Sequence, residues 1–302
     1  MRRWKLHPRR ASALTAGLWI LPAAMMQGGA AAAQDLPLLN TEDASLSRTP
    51  VGASRFHTGL TLDIRNGDFV RGAFDDDAAS LDRVPFHAQL TLAHQLVRGR
   101  DGVGDVWLEF RSSNGFHGPV DEERSHPRSW YESNNLVGLI ATPAAGWTAA
   151  VAFTVKASPN EISDTTQEVS ASLAYDAPGV IGALRPTAVV TTRTKGDHGV
   201  YTQVGAEPGW KLGPAEAAQR VSVPLTVGVG WGGFYQNGAG DLAYGSVGLA
   251  YSRSFSVART KLHLRADVLA LIRDDRLRRL GERDADRGAV TPYGTVALSA
   301  FF

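Results

Sequence analysis

The sequence contains no cysteine, which excludes disulfide staples and thiolate metal sites and leaves His and carboxylates as the only metal-ligating side chains. It has no surplus of charge either. Lys and Arg number 31 against 30 Asp and Glu, a formal +1, whereas a nucleic-acid binder usually shows a strong basic excess. Beyond the N-terminal segment no uncharged apolar run reaches the roughly 20 residues that a helix needs to cross a bilayer. Any membrane span must therefore be made of strands.

What is present begins with Arg2, Arg3, Lys5, Arg9 and Arg10, followed by an apolar run from Ala11 to Met26 and a small-residue tract from Gly28 to Ala33. A charged start, an apolar middle and an Ala-x-Ala site before Gln34 are the parts of a secretory signal peptide, expected over residues 1–33. Residues 34–53 carry Pro, Ser, Thr and Asn with little periodicity and are expected to form a flexible periplasmic lead-in.

From Phe56 onward the pattern is of strands. Period-two alternation marks Phe56–Arg65, Val84–Val97, Val103–Ser112, Tyr131–Thr142, Gly146–Ala157, Thr165–Asp176, Leu184–Thr194, Gly199–Lys211, Arg220–Tyr235, Leu242–Ser254, Lys261–Arg273 and Ala289–Phe302. Each is long enough for a tilted strand to cross the hydrocarbon layer. The longest gaps, Asn66–Arg83, Ser113–Trp130 and Asp274–Gly288, follow odd-numbered segments and so share one side, while the even connections are short. Long loops on one side, short turns on the other and an even count predict an all-β fold: a single transmembrane antiparallel barrel of about 12 strands over residues 54–302, with periplasmic termini. The last segment ends on Phe302, as the closing strand of bacterial outer-membrane barrels does, and Phe302 is the expected handle for the barrel-assembly machinery. Phe301 departs from that pattern, placing an aromatic where a polar residue is usual.

The faces follow from the alternation. Apolar rows such as Leu60, Leu62 and Ile64, or Trp147, Val151, Phe153 and Val155, are assigned to lipid. The opposite rows collect charge and are assigned to the lumen: Asp63, Arg65, Glu109, Arg111, Glu132, Lys156, Glu168, Asp176, Arg185, Arg193, Glu207, Arg220, Arg265, Asp267 and Arg273. Glu132, Lys156, Glu168 and Arg185 alternate in sign around one arc. Tyr131, Trp231 and Tyr235 are expected in an outer aromatic girdle, and Phe56, Trp147, Tyr175, Trp210, Tyr251, Phe255 and Phe302 in a periplasmic one.

Several stretches could carry chemistry. Ser113-Asn114-Gly115 with Pro127-Arg128-Ser129-Trp130 locally resembles outer-membrane phospholipase A, but Arg111 stands where that family has its His and Tyr131 where it has its Asn. A guanidinium cannot take a proton near neutral pH, so Ser113-Asn114-Gly115 is read as a turn and no enzyme activity is expected. His117, Asp121, Glu122, Glu123 and His126 are metal-ligand types but read as an acidic surface loop, as does Asp75-Asp76-Asp77, which lacks the glycine and distal glutamate of a calcium loop. Gly228-Val229-Gly230-Trp231-Gly232-Gly233 lies mid-strand with no helix after it, so it is not a phosphate cradle. No cofactor or metal is expected.

From Trp130-Tyr131-Glu132 onward the chain is similar to the TorF-type outer-membrane porin family. Ser158-Pro159-Asn160, Thr165-Thr166-Gln167-Glu168-Val169, Tyr175-Asp176, Leu184-Arg185-Pro186, Gly199-Val200-Tyr201, Glu207-Pro208 and Phe234-Tyr235 carry the likeness. It implies a barrel of porin type, with no substrate or catalytic residue to transfer. The reading that results is a bacterial outer-membrane barrel in contact with lipid and lipopolysaccharide. It forms a narrow channel for small polar solutes or, alternatively, a closed structural or receptor barrel whose lumen is filled by salt bridges.

Overall fold

The computed structural model describes residues 34–74, 84–118, 128–161, 163–213, 219–257, 260–280 and 288–302. The expected signal peptide, Asp75-Asp76-Asp77, Asp121, Glu122, Glu123 and His126 lie outside the described residues. Two short strands come first, β1 (Gln34–Leu39) and β2 (Leu46–Val51). The wall begins with β3 (Phe56–Arg65); β4 (Phe69–Val70) and β5 (Ala73–Phe74) form a small ribbon in the connection that follows it. The wall continues with β6 (Phe86–Val97), β7 (Val106–Phe116), β8 (Trp130–Ala141), β9 (Trp147–Ala157), β10 (Thr166–Tyr175) and β11 (Thr187–Lys195). Helix α1 (Val180–Leu184) sits between the last two.

The eighth wall strand is interrupted at Glu207-Pro208 into β12 (Val200–Ala206) and β13 (Gly209–Leu212), and the ninth at Val223-Pro224 into β14 (Gln219–Ser222) and β15 (Leu225–Trp231). A proline cannot donate to the ladder, which accounts for both breaks. β16 (Leu242–Val257), β17 (Thr260–Arg273), helix α2 (Asp275–Arg279) and β18 (Val290–Phe301) complete the chain. Neighbouring strands pair antiparallel in sequence order, and β18 pairs with β3 from Thr295 opposite Arg65 to Phe301 opposite Gly59. The ladder thus closes into a twelve-strand barrel, with no free edge.

Outside, the barrel presents an apolar belt. Leu60, Leu62, Ile64, Phe86, Val151, Phe153, Val227, Val268, Ile272, Val296 and Leu298 are all exposed. Trp231 stands at the long-loop end, and Phe56, Trp147, Trp210, Phe255 and Phe302 at the opposite, turn end. Tyr131 and Tyr235 were expected in the outer girdle, but both point inward: Tyr131 is 4% exposed, and Tyr235 places its hydroxyl on the backbone oxygen of Arg71. The cause at Tyr131 is a bulge. Gly115 pairs with Glu132 while Phe116 pairs with Trp130, so Tyr131 is the extra residue and both it and Glu132 turn to the interior.

The interior is filled from the turn end by β1 and β2, which pair into a hairpin. The expected flexible lead-in is thereby corrected: Leu36 and Leu39 are fully buried and Val51 nearly so, packed with Trp107, Leu136, Ile140, Ala150 and Val189 of the wall. Asn40 and Asp43 close the hairpin turn by accepting the backbone N–H groups of Glu42 and Ser45, an Asx-type closure. Polar groups fasten the hairpin to several strands: Leu39 N–H donates to Glu109 of β7 (2.9 Å), Arg48 meets Asp176 beyond β10 (3.3 Å), and Glu42 meets Arg65 of β3 (2.6 Å). Phe301 also belongs to this packing. Its ring turns inward, 7% exposed, against Gly59, where a Cβ would come within 2.5 Å of it.

Candidate functional site

At the long-loop end the interior side chains are charged and aromatic. β3 delivers Asp63 and Arg65 on its inward row, the turn after it delivers Asp68, β6 delivers His87, and the bulge of β8 delivers Tyr131 and Glu132. They converge. His87 Nε2 lies 3.1 Å from Glu132, 3.4 Å from Asp68 and 2.9 Å from the Tyr131 hydroxyl, while its Nδ1 lies 3.3 Å from Asp63. Tyr131 donates its hydroxyl to Asp68 at 2.7 Å. Arg65 reaches three acids at once: Asp63 (2.7 Å), Asp68 (2.8 Å) and Glu42 of the hairpin turn (2.6 Å).

Gly115 supplies the room for this cluster, since a Cβ there would stand 2.7 Å from the Tyr131 ring and 2.8 Å from His87 Nε2. Ser113-Asn114-Gly115, expected as a turn, is the last full stretch of β7. Burial pushes the Glu42 carboxyl up to about 7 against the pull of Arg65, with Asp68 and Glu132 adding to the rise. At Asp68 burial acts in the same upward sense, but the neighbouring His87 and Arg65 outweigh it and hold the carboxyl well below the usual range.

A second knot lies beside the first. Glu168, 1% exposed, accepts both guanidinium nitrogens of Arg71 at 2.7 Å, with Arg193 at 3.4 Å and Lys156 at 3.7 Å. Arg71 sits at the tip of the β4–β5 ribbon, so this ion pair ties the ribbon down over the lumen. Aromatic rings complete the cap: Arg71 lies over Tyr201 (4.8 Å) and Arg193 over Phe234 (4.3 Å), geometry in which a cation gains from the ring quadrupole. Gly228 leaves the gap into which Tyr201 and Tyr244 bring their hydroxyls, 2.8 Å apart. Gly228 and Gly230 of the glycine run make room for these rings and for Tyr235, whereas Gly232 and Gly233, expected mid-strand, lie in the turn after β15 with positive φ.

Two cavities flank these knots. One of about 640 Å³ at the long-loop end is lined by Arg71, Tyr131, Glu132, Asn134, Lys156, Arg193, Phe234 and Tyr235. Another of about 330 Å³ lies between the hairpin turn and the ribbon, among Glu42, Asp63, Arg65, Phe69, Arg265 and Tyr293.

The charged residues assigned to the lumen from sequence are all buried or half-buried, and most fall into separate groups. Asp63, Arg65 and Glu132 join the histidine cluster; Lys156, Glu168 and Arg193 form the second knot. Glu109 and Arg111 pair at 3.3 Å beside the hairpin, and Asp176 takes Arg48. Glu207, Arg220, Arg265 and Asp267 make a third group, in which Arg265 bridges Glu207 (3.1 Å) and Asp267 (2.7 Å) and Arg220 donates to the Glu207 backbone oxygen. Arg273 donates to Thr291 and covers Phe69. Arg185 does not belong to the expected arc: it follows α1 as its left-handed C-cap, in the connection at the turn end. Sequence reasoning missed Glu42, Asp68, Arg71 and His87. His87 was legible in principle, as the inward partner of Gly115 on an alternating strand. His117, read as part of a surface loop, is instead 5% exposed and stacks on Tyr131 at 4.6 Å.

No family model and no curated protein sequence matches this chain, and the expected TorF-type family is not shown. Among solved structures the chain is similar to LpxR from Salmonella typhimurium, at 10% identity and a TM-score of 0.41, over 81% of this chain and all of that one. It is also similar to OprB of Pseudomonas putida in its low-pH structure, at 9% identity and a TM-score of 0.26, over 82% of this chain and 92% of that one. Both neighbours are outer-membrane β-barrels.

Proposed function

We propose that this protein is a closed barrel of the bacterial outer membrane, structural or receptor-like, with a polar pocket at its long-loop end, rather than a conducting channel for small solutes. The observation that carries the reading is the β1–β2 hairpin, whose Leu36 and Leu39 are fully buried against the wall and whose polar groups reach β3, β7 and β9. An aqueous path would have to displace both this apolar packing and the salt bridges above it. The apolar belt supports the membrane setting, because a contiguous exposed surface of this kind is stable only against lipid or a partner. In this reading lipid and lipopolysaccharide cover the belt, and the long-loop end faces outward.

Acyl hydrolysis is not part of the proposal. Arg111 is engaged by Glu109 and Thr91, and Ser113 Oγ is buried without a hydrogen-bond partner among the described residues, so none of them activates it. Ser113→Ala should leave phospholipid turnover at the background level.

Single-channel recording in planar bilayers tests the reading. Wild-type protein that is folded by heat-modifiability should give no steps, and deletion of residues 34–51 should produce them. Sustained conductance from the wild type would overturn the closed-barrel reading in favour of the channel.

A further inference from the structure

We propose that Asp68, His87 and Glu132 form a binding site for one divalent cation of the zinc type. The three residues come from a turn and two strands, and each offers one ligand atom within 4.8 Å of the others. A tetrahedral ion with bonds of about 2.0–2.1 Å places its ligands roughly 3.4 Å apart. His87 Nε2 stands 3.4 Å from Asp68 Oδ2 and 3.1 Å from Glu132 Oε2, close to that spacing, and the Tyr131 hydroxyl, 2.7 Å from Asp68 and 2.9 Å from Nε2, has to swing aside to admit the ion. Imidazole beside carboxylates favours zinc-like ions over magnesium or calcium, which prefer all-oxygen sets.

Three further features point to a ligand. First, His87 Nδ1 faces Asp63 Oδ1 at 3.3 Å, and Asp63 is itself held by Arg65 and Gln89. A carboxylate on that side is the usual neighbour of a metal-bound histidine, and His87 Nδ1, buried with no hydrogen bond of its own among the described residues, is within ion-pair distance of Asp63. Second, Asn134, wholly buried, sets its amide nitrogen on Glu132 Oε1 and leaves its carbonyl Oδ1 without a partner. That unsatisfied oxygen belongs to the side chain that touches one of the proposed ligands, Glu132. Third, among the described residues the four acids Glu42, Asp63, Asp68 and Glu132 have only Arg65 and His87 as ion-pair partners. Buried negative charge in that excess is costly, and a dication would offset it. Tyr131 and Glu132 also line the outer cavity, which gives an ion a route in and a position for a further ligand.

The simpler alternative is a protonated His87 in a metal-free ion-pair network, and metal titration separates the two. Full-length protein in detergent, stripped with EDTA and shown to be folded, should take up one tightly bound Zn²⁺ per chain. His87→Gln and Glu132→Gln should abolish that uptake, Asp63→Asn should weaken it about 10–100-fold, and Asp176→Asn, at the turn end, should leave it unchanged. If the ligand variants fail to insert, Co²⁺ added to the wild type decides: the visible absorption of low-coordinate cobalt is expected and must be displaced by Zn²⁺. No uptake by folded wild type, no cobalt band, or equal uptake by folded His87→Gln would each overturn the site.

Discussion

Replacing Glu168 with glutamine keeps the shape of the side chain and removes one negative charge from among three cations. The carboxylate is 1% exposed and Arg71 nearly as buried, while Lys156 and Arg193 retain some access to the outer cavity. At an effective dielectric of 20, two charges about 4 Å apart interact by about 4 kcal/mol. The two more accessible cations can turn to water and recover part of theirs. Arg71 cannot, and breaking a buried pair from one side costs about 3–5 kcal/mol, because the remaining charge is left uncompensated. For a chain of this size each kcal/mol lowers the unfolding temperature by about 2–4 °C, so Glu168→Gln should unfold about 6–20 °C below the wild type. Heat-modifiability on gels, or near-UV circular dichroism in detergent, reads the shift. Asp275→Asn is the control: its pair with Arg278 is at the surface, 64% exposed on the acid side, where such pairs contribute about 0–1 kcal/mol. The hairpin keeps its own apolar packing and its bonds to Glu109, Arg65 and Asp176 besides the one from Lys156 to the Glu42 backbone oxygen, so the variant should remain non-conducting. A Glu168→Gln protein that melts with the wild type, or one that conducts with altered ion preference, would refute the view of Glu168 as a buried tie rather than a pore-lining charge.

Other outcomes follow from the same packing. Leu39→Ala removes a fully buried side chain from the hairpin and should cost about 2–5 kcal/mol, seen as earlier proteolysis of residues 34–51 on heating. Gly59→Ala should destabilise by about 1–3 kcal/mol through overpacking against the Phe301 ring; in a Phe301→Ala background the same change should be close to neutral, and a double-mutant cycle measures the difference. Tyr131→Phe deprives Asp68 and His87 of a buried hydroxyl and should cost about 1–3 kcal/mol, read by the same thermal assay, with the barrel still assembled.

The wall of this protein was legible because period-two alternation of apolar and charged residues is enforced strand by strand wherever one face meets an apolar surround and the other a polar interior. Leu60, Leu62 and Ile64 opposite Asp63 and Arg65 are enough to orient β3, and the lengths of the connections assign the two ends. The interior was not legible in the same way. Leu36, Leu38, Leu39, Leu46 and Val51 flank an Asn-Thr-Glu-Asp turn, but a six-residue strand carries little periodic signal, and nothing local says that it folds back inside a barrel. Tyr131 was misplaced because one bulged residue reverses the alternation that assigns faces, and a bulge belongs to the pairing of two strands, not to one. The partners of His87 come from positions 63, 68, 131 and 132, and Glu168 is tied to Arg71. His87 meets Asp63 across the β3–β6 ladder and Glu132 one strand beyond Gly115, contacts set by the register of neighbouring strands, while Glu168 and Arg71 meet only because the β4–β5 ribbon folds over the lumen. The sequence by itself determined the barrel and the inward row of charged residues along its strands. Only the tertiary structure decided that the lumen is occupied, by which segments, and which buried charges share a site.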